Sequence, residues 1–226
     1  MQFEENYRKR LLSLKDEAYY HFIANLVPGS KQIGIRIPIL RKLAKEFIKE
    51  DYQKYLSIKS IYREEKIIKG LIIGSLNTDF KNVLSHLEDF LPEIDSWEIC
   101  DTTVSGLKIF KIHLEEGLIF IDSCLKSNET FSIRFGLVLL LSYYLKEEYL
   151  DYIFKILKNL KSEEYYVRMA AAWLVSYLYI MFPKVTLKLF DGSLDKFTHN
   201  KAISKINESF QVKKADKDFF RTLRRR

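Results

Sequence analysis

An all-α superhelix, a solenoid of HEAT-like repeats, is the fold class this sequence predicts, and three observations predict it. Apolar residues recur at helix-face spacing nearly from end to end. The 226 residues include only 8 Gly and 4 Pro, too few for many short strands and turn-rich stretches. The helical stretches are joined by short polar connections such as NTD, KSNE, KSEE and DGSLD, which implies antiparallel neighbours. There is no continuous heptad and no convincing strand pair, and the alternative to the solenoid is a compact irregular helical bundle.

The elements follow in order. Pro38 opens PILRKLAKEFIKE, because its fixed φ suits a first helical turn, and Ile39, Leu40, Leu43 and Phe47 fall at helix-face spacing. EEKIIKGLIIGSL, over 64–76, repeats the pattern. Its Gly70 and Gly74 lie one turn apart and permit a neighbouring helix to approach closely, at a cost in intrinsic helix stability. Further helices are predicted over roughly 80–91, 96–112, 115–127, 130–145, 147–160, 163–182, 184–190, 198–210 and 215–224. A two-helix unit of roughly 35 to 45 residues can be laid over 80–190, with Thr130–Leu160 and Glu163–Phe190 the clearest pair. The reading is one repeat domain over 1–226, with basic helices from about 196 to 226. Stacked pairs of this kind leave a concave face lined by one helix of each pair.

Composition narrows the class. A chain 47% hydrophobic and 14% aromatic can bury a substantial core. The two cysteines, Cys100 and Cys124, lie in apolar helical patterns away from any CxxC or Cys/His cluster, which argues against a zinc site or a disulfide framework. The N-terminus MQFEENYRKR lacks a signal-peptide core, and the longest apolar run, FGLVLLLSYYL, is too short to cross a bilayer. These features predict a soluble, cytoplasmic protein that does not enter membranes. The net charge of +7 is localised: from Lys196 onward ten Lys/Arg face three acids, whereas residues 1–195 hold 27 of each. A neutral body with a basic end suggests a polyanion-binding face, although RTLRRR also reads as a solvated tail.

Four side chains depart from the helical core pattern. In SWEICD, Trp97 and Asp101 are four residues apart and project from one helix face. Arg134 is the one cation in the apolar FSIRFGLVLLL, and Trp173 follows three alanines in YYVRMAAAWLVSYL. Taken singly, each Trp reads as core, Asp101 as solvated, and Arg134 as its structural ion-pair partner. Jointly, on successive helical units, they read as a site. The four histidines, His21, His86, His113 and His199, show no metal spacing and no nucleophile motif, and there is no phosphate-cradling glycine loop. An enzyme built on these residues works without a metal or organic cofactor. A carboxylate with aromatic walls and one arginine suits stabilisation of a sugar cation and orientation of water during glycosidic cleavage.

The segments IGIRIPILRKLAKE (33–46), SWEICD (96–101), FSIRFGLVLLL (131–141), YYVRMAAAWLVSY (165–177), FPKVT (182–186) and NKAISKINES (200–209) resemble, in order and separation, the AlkD-like DNA alkylation repair family of HEAT-repeat DNA glycosylases. The resemblance implies hydrolysis of the N-glycosidic bond of cationic N3- or N7-alkylated purines in duplex DNA. It matches Asp101 to the catalytic aspartate, Trp97 and Trp173 to the two indoles walling the cleft, and Arg134 to the cleft arginine near the DNA backbone. Arg168, Lys201, Lys205, Lys213 and Lys214 are the further cations expected at DNA, with a monomer as the binding unit and double-stranded DNA, alkylated or distorted, as the partner. The chain departs from the pattern at Asn25, where family glycosylases offer a cleft tyrosine that Tyr19 or Tyr20 could replace. Ser176 and Asn200 stand where family members carry arginine. A cytoplasmic, nucleoid-associated setting of bacterial type follows from the resemblance. The competing readings are a non-catalytic repeat protein binding distorted or branched DNA, and a protein–protein scaffold.

Overall fold

The computed structural model describes residues 2–226 and is all-α, with no strand among the described residues. The α-helices are α1 (Gln2–Leu12), α2 (Glu17–Leu26), α3 (Ile37–Ser57), α4 (Arg63–Ile73), α5 (Phe80–Phe90), α6 (Trp97–Gly106), α7 (Leu114–Leu125), α8 (Thr130–Tyr143), α9 (Leu150–Asn159), α10 (Tyr165–Met181), α11 (Pro183–Thr186), α12 (Lys196–Glu208) and α13 (Lys214–Thr222). Short 3₁₀ turns extend α5, follow α6 and α11, and precede α9. The expected helix over 96–112 is therefore interrupted: α6 ends at Gly106, Leu107 leaves helical geometry, and a 3₁₀ turn spans Lys108–Lys111. Likewise the stretch 147–160 begins as a 3₁₀ turn, and 184–190 is one α turn continued by a 3₁₀ turn. Two compact units are present, Met1–Ile109 and Phe110–Arg226.

In the first unit, α4 packs against both α3 and α6. Leu40, Leu43, Ala44 and Phe47 of α3 and Ile67, Ile68, Leu71 and Ile72 of α4 are buried. Phe47 stacks on Tyr55 with ring centroids 4.0 Å apart, and Tyr7 of α1 meets both rings edge-on. The helix α3 continues to Ser57 only across a break at Asp51, whose backbone is extended. The glycine pair, Gly70 within α4 and Gly74 as its C-cap, does what its spacing suggests. A Cβ on Gly70 would lie 1.9 Å from Thr103 Oγ1 of α6, and one on Gly74 would lie 3.0 Å from the Gly106 backbone. The two helices meet at a surface made of glycine against threonine and glycine against glycine.

This contact predicts that Gly70→Ala destabilises the chain by about 1–3 kcal/mol, the usual cost of overfilling a packed interior. Thr103→Ala removes the obstructing hydroxyl and methyl, so the double variant should regain most of that loss in a urea titration. Equal losses in the single and double variants would show that the Thr103 side chain is not what a Cβ at position 70 meets.

In the second unit, α8 packs on both α7 and α10, and α10 packs on α12. Helices α8 and α9 lie within 130–160, and α10 and α11 within 163–190, with α10 packed on α11. Ala170, Ala171 and Ala172 are buried, so the short side chains let α10 sit close between its neighbours. Tyr179, Ile203, Ile206, Val212 and Phe220 form a cluster that fastens α13 to α10 and α12.

The basic C-terminus is docked, contrary to a solvated-tail reading of RTLRRR. Asn200 clamps Arg225 from both sides: its amide donates to the Arg225 carbonyl at 2.9 Å and its carbonyl accepts from the Arg225 N–H at 3.0 Å. Arg225 donates to the Leu194 carbonyl and Arg224 to Ser204 Oγ. His199, buried, places Nε2 2.8 Å from the Leu223 carbonyl. That contact requires the proton on Nε2.

Burial, the largest cause, holds the His199 pKa below its ordinary 6.5, and the Arg225 charge acts the same way. The folded chain therefore favours the neutral ring. As pH falls through 6.5 the unfolded chain takes up a proton first, so stability is lost from there downward until the folded ring also protonates. Thermal melts from about pH 7 to about pH 5.5 should show a steeper fall for the wild type than for His199→Gln, which keeps a donor without a titrating ring. Parallel curves would remove His199 from the acid response.

Candidate active site

Trp97 and Asp101 are set by the start of α6. Ser96 is the N-cap, its hydroxyl accepting from the Ile99 N–H at 3.4 Å, so Trp97 is the first helical residue and Asp101 lies one turn along. Both side chains are partly exposed, while Glu98, Ile99 and Cys100 between them are buried. The pair thus occupies the outward flank of a helix whose other flank is fixed to α4.

What fixes it is a buried charge network. Arg63, at the first position of α4, is 1% exposed. Its Nε donates to Glu98 Oε2 at 2.8 Å, its Nη2 donates to Glu98 Oε1, and its Nη1 donates to Glu64 Oε1 at 3.0 Å. Burial works against the guanidinium charge, but the Glu98 hydrogen bonds and the Glu98 and Glu64 charges outweigh it and raise its pKa. Glu64, fully buried, also accepts the backbone N–H groups of Ile33, Gly34 and Ile35. Gly34 adopts φ +94° there, in contact with the Tyr20 backbone, a conformation that suits glycine. One arginine therefore ties α6 to α4, and its acidic neighbour ties α4 to the loop before α3. Nothing in the apolar periodicity signals this network. The adjacent Arg63-Glu64-Glu65 ahead of an apolar run reads equally well as a solvated first turn.

The remaining candidates belong to the second unit. Arg134 on α8 is 6% exposed and donates Nη1 to the Tyr166 carbonyl at 3.0 Å, which links α8 to the first turn of α10. Trp173 on α10 is partly exposed, with Tyr177 edge-on at 6.1 Å and the Lys205 ammonium of α12 5.9 Å from its ring. Arg168 donates to Glu163 and lies 4.5 Å from the Phe197 ring, a ring that the Lys201 ammonium also approaches at 5.7 Å. Lys213 and Lys214 are exposed at the start of α13.

Two of the three departures from the resembled pattern, Ser176 and Asn200, have structural employment. Ser176 is buried and donates to the Trp173 carbonyl at 2.7 Å, a bond within α10. Asn200 holds the C-terminal tail through Arg225. Asn25 is exposed on α2, and Tyr19 and Tyr20 of the same helix are partly exposed, each with a cation over its ring: Arg36 at 5.0 Å and Lys15 at 4.6 Å.

The family model described as DNA alkylation repair enzyme matches residues 7–180. The chain belongs to that family. The match takes in Trp97, Asp101, Arg134, Arg168 and Trp173, whereas Lys201, Lys205, Lys213 and Lys214 lie beyond it. No curated protein matches the chain. Membership gives the protein a role in DNA alkylation repair, with DNA as its partner. No helix among the described residues is long and apolar enough to cross a membrane.

Proposed function

We propose that the protein is a DNA glycosylase that excises cationic N3- or N7-alkylated purines from duplex DNA. The observation that carries this reading is the Trp97–Asp101 pair. An indole and a carboxylate share the outward flank of a helix pinned by buried ionic contacts, in a member of a DNA alkylation repair family. An alkylated purine already carries positive charge and leaves without a general acid. As the C1′–N bond breaks, its electron pair neutralises the base and positive charge passes to the deoxyribose. Asp101 stabilises that charge and holds the water whose oxygen attacks C1′, the water proton passing to Asp101 or to solvent. Trp97 and Trp173 supply flat apolar walls with cation–π attraction. Arg134 acts beside the DNA backbone, and Arg168, Lys201, Lys205, Lys213 and Lys214 supply phosphate affinity without sequence readout.

The test is release of 7-methylguanine or 3-methyladenine from methylated duplex DNA by the wild type and by Asp101→Asn. A second reading, a non-catalytic protein that binds distorted or branched DNA, is favoured by one observation. Ser176 and Asn200, which replace family arginines, spend their polar atoms inside the fold and supply no cation. That reading predicts salt-dependent DNA binding that survives Asp101→Asn with no base released by either protein.

A further inference from the structure

The loop between α12 and α13 carries Phe210 with its side chain entirely in solvent, at 103% relative exposure. Large aromatics are expensive to leave bare, and this one is held out on both sides. Before it, the Ser209 N–H closes α12 on the Lys205 and Ile206 carbonyls at 3.2 and 3.3 Å. After it, the Gln211 N–H donates to Ser209 Oγ at 3.2 Å, and Val212 is buried with Tyr179, Ile206 and Phe220. The ring thus stands on a short loop anchored at each end.

Beneath it lies a cavity of about 290 Å³ lined by Trp173, Tyr177, Ile180, Lys205, Phe210 and Gln211, among others. That volume is close to the lower end of small-molecule sites, roughly 300–1,000 Å³. Three aromatic side chains, the Lys205 ammonium, the Gln211 amide and the Glu208 carboxylate share one opening, a set that suits an unpaired nucleobase. The rings offer stacking faces, the ammonium meets the strand's phosphate, and the amide, both donor and acceptor, can meet the edge of any base.

We infer that Phe210 is a stacking residue, and that this cavity takes one unpaired base of the bound DNA between Phe210 and the Trp173–Tyr177 wall, with Lys205 on the adjoining phosphate. The inference rests on the DNA-repair reading of the chain, but on its DNA binding and not on base excision. It adds an aromatic contact that lies beyond the residues of the family match. Stacking is indifferent to base identity, so the site selects DNA by whether a base is out of the helix and not by sequence. The anchored loop pays little ordering entropy when the base arrives.

The experiment measures binding of unmethylated oligonucleotides by fluorescence anisotropy. One duplex is fully paired, and the other carries a single-base bulge with 2-aminopurine as the extra base. The wild type should prefer the bulged duplex and quench its 2-aminopurine emission. Phe210→Ala should weaken binding to the bulged duplex roughly tenfold, the weight of one base–aromatic stack, and abolish the quenching. Its affinity for the paired duplex should be unchanged, and Phe210→Trp should restore the preference. Because Phe210 makes no core contact, these variants fold. Equal binding of both duplexes by the wild type, or the same loss on both duplexes in Phe210→Ala, would overturn the inference. Failure of base release in the Asp101 assay, with the bulge preference intact, would overturn the glycosylase reading and leave this one standing.

Discussion

Replacing Asp101 by Asn should reduce release of alkylated purines from methylated duplex DNA by at least about a hundredfold, the scale seen when one electrostatic contact to a developing charge is removed. The substitution is chosen because it removes the negative charge at nearly constant size. Asn keeps the size of the side chain and one carbonyl acceptor, so it still fits the outward flank of α6 and can still hold a water. It cannot offset the positive charge that gathers on the deoxyribose as the purine leaves. Asn is close to Asp in size, and a thermal melt of each protein, run beside the assay, separates any change in folding from the change in chemistry.

DNA binding should survive, because cations at the phosphates supply it. It should strengthen slightly, since one negative charge is removed from a surface that meets a polyanion. The measurement is single-turnover release of 7-methylguanine, with anisotropy binding on the same DNA. A wild type that releases base no faster than Asp101→Asn would defeat the glycosylase assignment. Retained, salt-sensitive binding in both proteins would then support the non-catalytic reading.

The helices were legible in the sequence because their apolar faces repeat at the helical period and Pro38 marks a start; the side-chain caps Asp79, Ser96 and Asp195 come from the structure. The Gly70–Gly74 pair was legible for a related reason: glycines one turn apart have few uses on a helix other than close approach, and Thr103 and Gly106 fill that role. The break at Leu107 was hidden, since Leu107 and Phe110 are both buried and continue the apolar pattern through the 3₁₀ turn. Trp97, Asp101 and Trp173 stood out because each breaks a pattern, and all three are partly exposed. Their supports did not stand out. Glu98 looks like any first-turn acid until Arg63 is seen 35 residues upstream, and long-range ionic pairing leaves no periodic trace. Phe210 was invisible for the opposite reason. One aromatic in a polar loop carries no pattern at all, and only the loss of every covering contact sets it apart.

The Arg63 network yields the largest expected effect on stability. Arg63→Met should cost about 3–5 kcal/mol, because it leaves Glu98 buried without its cation. Glu64 suffers less, since the Ile33, Gly34 and Ile35 amides still meet its carboxylate. The net worth of the pair is a different quantity from the cost of breaking it. Burying both charges costs several kcal/mol per ion before any attraction is counted. Arg63→Met/Glu98→Leu, which removes both groups and fills the space, should therefore recover most of the loss. A chain of this length loses roughly 2–4 °C of Tm per kcal/mol, so the single variant should melt at least about 6 °C lower. The double variant should melt near the wild type. Base release separates stability from positioning: the double variant lacks the guanidinium fork that orients the first turn of α6. It should therefore fold well yet release base more slowly at temperatures where it is fully folded. A double variant as destabilised as Arg63→Met would mean that the ionic geometry itself, and not merely a filled contact, holds α6 to α4.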